Sequence, residues 1–308
     1  MPDNQFPNVP ILTAVQITNA IWLKRDDVYA PFGDTAMNGA KTYQCLNLIG
    51  NHLDIIKDQY DGTIYSDNFL GSPQSPIVAR VAKHYGLKCI IPVAAASLES
   101  ALKHRSMQLV QEWGGEVVPV CTMGLALKWK APERYGDRFF RVKFGMDGDD
   151  PAVLQAVVEP VRKQAAAFLG LPTDAMTLVV AVGSGVVFGS LLVGMADLGV
   201  RFKRVVGVGI AGYDRTPTVT RVVESCGYAM PRATVRESAF GQATPPVQPF
   251  EYIVDKTYAY NRHVARKVGD VVLDSQYEAK AWEWAMRERL IEQGPVMLYV
   301  VGNSNCLR

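Results

Sequence analysis

Thr177-Leu-Val-Val-Ala-Val182 runs without a polar break into Gly183-Ser-Gly-Val-Val-Phe-Gly-Ser190. An unbroken apolar run of this length reads as a strand buried on both faces, which requires covering layers above and below it. The glycines after it read as a turn, and residues 188–198 as the helix that follows. A strand, a glycine turn and a helix start together form an anion site, because unpaired N–H groups and the positive helix end point the same way. The loop lacks the GK[ST] ending of a Walker motif. Its GxGxxxG spacing is one residue longer than the dinucleotide fingerprint, and the next acid in reach, Asp214, lies beyond the following strand. Phosphate binding, dinucleotide binding and close helix–sheet packing all stay open for these glycines.

Working outward, the same alternation continues. Downstream, residues 204–210 read as a strand, 217–226 as a helix, 277–293 as the last long helix and 296–301 as the last strand. Residues 151–169 read as a helix with Pro151 in its first turn. Residues 228–255, rich in Pro, Gly and Thr, read as loop. Upstream, 62–66, 88–93 and 116–121 read as strands, separated by helices over 75–85 and 97–113. The loop 144–150 divides the two series. The fold class is therefore α/β, with two helix-covered parallel sheets. Such sheets bind ligands at the carboxyl ends of their strands, and two of them invite a site in the cleft between.

The 308 residues are 48% hydrophobic and 20% charged, a globular composition. Thirty-two Lys and Arg face thirty Asp and Glu, for a net charge of +2, which gives no case for a dedicated polyanion or membrane-surface binder. One stretch does gather Lys128, Lys130, Arg134, Arg138 and Arg141, read either as a solvated loop or as the lining of a cleft. No apolar run reaches the ~18–20 residues of a membrane helix. The first residues carry no basic and apolar leader pattern, so none is expected. Five dispersed cysteines (Cys45, Cys89, Cys121, Cys226, Cys306) without a CxxC suggest reduced thiols and a cytoplasmic setting, that of the host if the protein is viral. Four scattered histidines without HExxH predict no metal site.

Asn38-Gly-Ala-Lys41 stands ahead of the apolar positions Cys45, Leu46, Leu48 and Ile49. A lysine is ordinarily a solvated charge. One at the buried start of a helix is kept neutral by desolvation and serves as a nucleophile.

Taken together, Leu23-Lys-Arg-Asp-Asp27, Asn38-Gly-Ala-Lys41, the loop from Gly183, Asp274-Ser-Gln-Tyr-Glu-Ala-Lys280 and Val296-Met-Leu-Tyr-Val-Val-Gly-Asn-Ser304 resemble pyridoxal-phosphate enzymes of the tryptophan synthase β-like fold (fold type II). The nearest resemblance is to 1-aminocyclopropane-1-carboxylate deaminase and D-cysteine desulfhydrase. It implies two three-layer α/β/α domains, a small one over residues 45–147 and a large one from 1–44 and 148–308, with pyridoxal 5′-phosphate in the interdomain cleft of a homodimer. It also implies roles. Lys41 holds the cofactor as a Schiff base and moves the proton at Cα. Gly183, Ser184, Gly185, Val186 and Val187 cradle the phosphate, with Gly302 and Asn303 beside the cofactor. Glu278 sits at the pyridine nitrogen and keeps it protonated, which favours a quinonoid carbanion. Tyr277, Ser72 and Gln74 face the substrate.

The departures are specific. The family's Gln-Ser-Asn-His loop is Gly71-Ser-Pro-Gln74 here, and the phosphate-loop threonine is Val187. Pro73 has no N–H or side-chain donor, and Gln74 does not titrate. Three functions follow as expectations. The first is a lyase or deaminase acting at Cα of a small amino acid by deamination, elimination or decarboxylation. The second is a bacteriophage enzyme that reworks an amino acid attached to thymidine in DNA. The third is an NAD(P)-dependent oxidoreductase, which leaves Lys41 and Glu278 without roles. A catalytically dead relative is disfavoured by the retained lysine.

Overall fold

A computed structural model describes residues 9–33, 38–148, 150–210, 212–231 and 246–307. Contacts divide the chain into two units, one centred on residues 10–29 and 158–303, the other on 30–157. The helix Ala40–Asn51 lies whole in the second unit, so the contacts group 30–44 with that unit rather than with the flanking segments.

The first unit is built on a six-stranded sheet in the order Ala14–Thr18, Ile21–Arg25, Val296–Val300, Thr177–Val182, Arg204–Gly209, Glu251–Val254. All pairs are parallel except the first, an antiparallel hairpin at one edge. Every residue of Thr177–Val182 is buried. Its side chains alternate as the pleat requires. Leu178, Val180 and Val182 enter one core with Leu191, Phe202 and Val219, while Val179 and Ala181 enter another with Leu298, Trp282 and Ala285. Helices Val186–Asp197 and Thr216–Ser225 cover the first face, and Glu278–Arg287 the second.

The second unit carries a fully parallel four-stranded sheet, Glu116–Cys121, Lys88–Ala94, Thr63–Tyr65, Phe140–Arg141. The helix Gln74–His84 packs between Ala40–Asn51 and Arg105–Glu112 and against the strand Lys88–Ala94.

The expected alternation is present, with local differences. Residues 97–113 form two helices, Leu98–Ala101 and Arg105–Glu112, because His104 adopts an extended backbone with ψ 126°. The last helix stops at Arg287 and restarts at Leu290 after Arg289, whose φ of 54° no helix continues. The supposed loop 228–255 contains the edge strand Glu251–Val254, and its residues 232–245 lie outside the described residues. The hairpin Ala14–Thr18 and Ile21–Arg25 and the helix Leu127–Tyr135 had no strong periodic signal. Cys45, Cys89, Cys121 and Cys226 are free thiols. Among the described residues no helix is long and apolar enough to cross a membrane.

The edge hairpin is fastened by a buried polar network. Lys24 is fully buried, paired with Asp26, and its Nζ lies 3.0 Å from Gln164 Oε1. Gln164 in turn accepts the Leu12 N–H at 2.9 Å and donates to the Pro10 carbonyl at 2.9 Å. Removing one member of such a pair strands the other charge in an apolar layer. Lys24→Ala is expected to lose about 3–5 kcal/mol of stability. Lys24→Met combined with Asp26→Leu should recover much of it. Urea unfolding of the two variants checks this.

Candidate active site

The candidate residues fall into two sets, one in each unit. In the unit of residues 30–157, Gly39 has φ 104°, a left-handed conformation that favours glycine, and the helix Ala40–Asn51 starts there. Lys41 is therefore in the first helical turn, where the backbone dipole disfavours a cation. Burial adds to this and lowers its pKa to about 8, with Cys45 opposing. The contact at its Nζ is with a neutral acceptor, Gln74 Oε1 at 3.4 Å. Two fully buried lysines, Lys24 and Lys280, are differently placed. Lys24 is paired with Asp26, and Lys280 donates to the carbonyls of Ala259 (2.9 Å) and Tyr260 (2.8 Å).

Gln74 is fully buried and its amide is spent on structure. Nε2 donates to the Lys143 carbonyl at 2.6 Å and to Ser66 Oγ at 3.3 Å, and Oε1 accepts the Gly145 N–H at 2.8 Å. It therefore fixes Lys41 and the 143–145 turn together. Ser72 is buried in the loop ahead, its Oγ accepting the Gln74 N–H at 3.2 Å. Asn68 was not singled out from sequence. Its Nδ2 donates to Ser66 Oγ at 2.7 Å, while its buried Oδ1 has no partner among the described residues. An asparagine five positions before Pro73 gives a spacing search nothing to find.

In the other unit, the turn after Val182 separates the glycines by job. Gly185 caps the helix Val186–Asp197 with φ 99°. Gly194 serves packing instead, since a Cβ there would lie 2.1 Å from the Arg162 carbonyl oxygen. Ser190 Oγ donates back to the Val186 carbonyl at 2.8 Å and is used within the helix. Arg215, also unforeseen, donates from Nε to the Gly183 carbonyl at 3.1 Å, so a guanidinium backs the glycine turn. Asp214 accepts the Thr216 N–H at 2.8 Å and so tightens a turn rather than waiting for a ribose. A Cβ on Gly183 would lie 3.1 Å from the Tyr277 ring, which places that tyrosine against the loop.

Tyr277 Oη is 2.8 Å from Tyr260 Oη, and burial raises its pKa well above the ordinary value. Asp274 orients the segment by accepting the N–H groups of Gln276 (2.8 Å) and Tyr277 (3.1 Å). Glu278 opens the helix Glu278–Arg287 and is buried. Its Oε1 accepts the Val301 N–H at 3.0 Å, next to Gly302 and Asn303. Its Oε2 is buried without a partner among the described residues. Burial, and then the neighbouring Asp274, hold its pKa well above the carboxylate range. A buried carboxyl with an open oxygen fits a ligand that offers a basic ring nitrogen, and a helix start capped by glycine fits a phosphate.

No protein-family model matches the chain. It is similar to the solved structure of an ACC deaminase homologue, with a TM-score of 0.68, 19% identity, and coverage of 99% of this chain and 95% of that one. It is also similar to an O-acetylserine dependent cystathionine beta-synthase from Helicobacter pylori (TM-score 0.60, 17% identity, 97% and 94% covered). The fold is thus the tryptophan synthase β-like fold expected from the sequence. Among curated proteins, an O-seryl-dTMP PLP-dependent decarboxylase from Salmonella phage ViI is 30% identical over 103 residues, 31% of this chain. The match spans 23% of that relative's length.

The lowered pKa of Lys41 is directly measurable. Its amine should acetylate with a rate that rises through a midpoint of about 8, against ~10.4 for ordinary lysines. Peptide-resolved labelling across pH reads both, and a Lys41 midpoint near the ordinary value would remove the argument for a neutral nucleophile.

Proposed function

We propose that the protein is a pyridoxal-phosphate-dependent enzyme that cleaves a bond at Cα of an amino acid. The observation that carries this is Glu278, a buried carboxyl with one oxygen held by Val301 and the other unpartnered among the described residues. The cofactor, when bound, supplies an electron sink conjugated to the substrate's Cα. Lys41 Nζ is assigned as its attachment point, and the N–H groups of Gly185, Val186 and Val187 with Ser184 Oγ as its phosphate site. Glu278, whose carboxyl burial pushes toward the protonated form, would hold the ring nitrogen and share a proton with it. Asn68 Oδ1 supplies a polar contact from the loop in which Pro73 supplies none.

The substrate reading we favour is an amino acid joined to a thymidine nucleotide, with loss of its carboxylate. The phage relative, whose name describes decarboxylation of O-seryl-dTMP, supports it. So does the loop: Gln74 has its amide engaged by Ser66, Lys143 and Gly145, and cannot titrate. Lys41 is then the group that moves the proton. As carbon dioxide leaves, the electron pair of the broken bond stays with Cα, and Lys41, released as an amine and having taken up the proton of the substrate's ammonium group, would deliver that proton to the carbon.

Incubation with pyridoxal 5′-phosphate, borohydride reduction and peptide mass mapping should place a phosphopyridoxyl group on Lys41. Lys41→Ala should lose the label, and a label of equal yield on Lys24 or Lys280 would overturn the assignment. Glu278→Ser should keep the label yet slow carbon dioxide release from an O-seryl thymidine nucleotide about 10²–10³-fold, the scale of removing one electrostatic stabiliser. An unchanged rate would return Glu278 to a structural role.

A further inference from the structure

The helix Leu127–Tyr135 buries one face and leaves another unused. Leu127, Ala131 and Tyr135, at spacing i, i+4, i+8, enter a small core with Tyr65. The other positions include Lys128, Trp129, Lys130, Glu133 and Arg134, all exposed, and Trp129 is 68% exposed. The lysines next to Trp129 in sequence project about 100° to either side of it around the helix. The cations are partly preorganised. Arg134 lies over the Tyr135 ring at 5.4 Å and Arg138 over Phe139 at 5.3 Å. The Lys130–Glu133 pair at 2.7 Å is exposed on both sides and therefore weak.

This face continues toward the loop that holds Lys41 in place. Met123 and Leu125, 66% and 68% exposed, precede the helix. A Cβ on Gly124 between them would lie 3.4 Å from the ring of Phe69. Phe69 packs edge-on against Phe144 at 5.2 Å and belongs to the loop of Asn68 and Ser72. One exposed strip thus runs from cations and Trp129, past Met123 and Leu125, to an aromatic ring one residue from Asn68.

We propose that this strip, residues 123–138 with Phe69, docks single-stranded DNA flanking the modified nucleotide. The proposal rests on the reading of the substrate as a nucleotide-linked amino acid. Phosphates take the cations, and bases, every one of which has a π-face, stack on Trp129. The balance of charge favours a polyanion over a second copy of the chain, since Lys128, Lys130, Arg134 and Arg138 outnumber Glu133 and Asp137 along this strip.

The test uses the full chain loaded with pyridoxal 5′-phosphate and a fluorescent oligothymidylate of about 20 nucleotides, followed by anisotropy. Binding should weaken as salt rises from about 50 to 200 mM. Trp129→Ala should weaken it about tenfold and Trp129→Phe should restore it. Lys128→Glu with Arg134→Glu should flatten the salt dependence by about 1.4 in log–log slope, two contacts at ~0.7 each. All these variants should keep the borohydride label on Lys41. Labelled protein that does not bind the oligonucleotide, or binds it equally as Trp129→Ala, overturns the docking surface alone. Absence of the label overturns the cofactor reading whatever the DNA result. A Trp129→Ala variant that turns a dimer into monomers in sedimentation, or that loses binding only to anionic lipid vesicles, overturns DNA as the occupant.

Discussion

Burying a charge in an apolar layer costs several kcal/mol unless a partner returns it. The residues that matter most in this molecule are sorted by that constraint. Lys24 meets Asp26 and Gln164, and the result is a fastened sheet edge. Lys280 meets two carbonyls and holds the 259–260 segment beside Tyr277. Lys41, half-buried, and Glu278, buried, have less. Lys41 has a distant amide oxygen, and Glu278 has one N–H for two oxygens. Both respond in the direction burial dictates, the lysine downward and the carboxyl upward, toward their neutral forms. Groups held neutral in this way remain able to exchange a proton with a ligand, which fully paired groups do not.

The same economy shapes the backbone around them. Thr177–Val182 is filled on both faces, so no side chain of that strand is available to chemistry. Any ligand contact made by this segment has to come after the strand ends, from Gly183 onward. The turn that follows needs a left-handed residue at Gly185, and the helix it starts needs Gly194 so that Arg162 can approach. Sequence alone left packing and anion binding as alternatives for the glycines. The structure divides the labour by position, with turn glycines at the strand end and a packing glycine two helical turns later.

This division explains which features were legible. Long apolar alternation announces itself, so the central strands and the helices on them were readable from residues 177–210 and 62–121. The placement of Lys41 at a helix start was readable because a glycine and an apolar stripe bracket it. The edge strand Glu251–Val254 was not, because an edge position needs no apolar run and its burial is only partial. The helix Leu127–Tyr135 was hidden by its own outer face, where charges and a proline outnumber the three buried positions. Arg215 and Asn68 were invisible for another reason. Their roles rest on contacts to Gly183, 32 residues away, and to Ser66 within a loop, and no periodicity encodes either.

Gln74 shows how a departure in sequence becomes a constraint on substrate. A histidine at that position would place a titratable ring beside Lys41. The glutamine is instead committed to Ser66, Lys143 and Gly145. With these groups used, it presents a fixed shape and no titrating proton. Losing one of those hydrogen bonds would leave a buried donor or acceptor unsatisfied, at about 1–3 kcal/mol. The loop is therefore stiff, and Phe69, three residues before Ser72, is carried on a fixed support at its exposed end. Its exposed aromatic is held from the other side by Phe144, whose ring meets that of Phe69 edge-on at 5.2 Å.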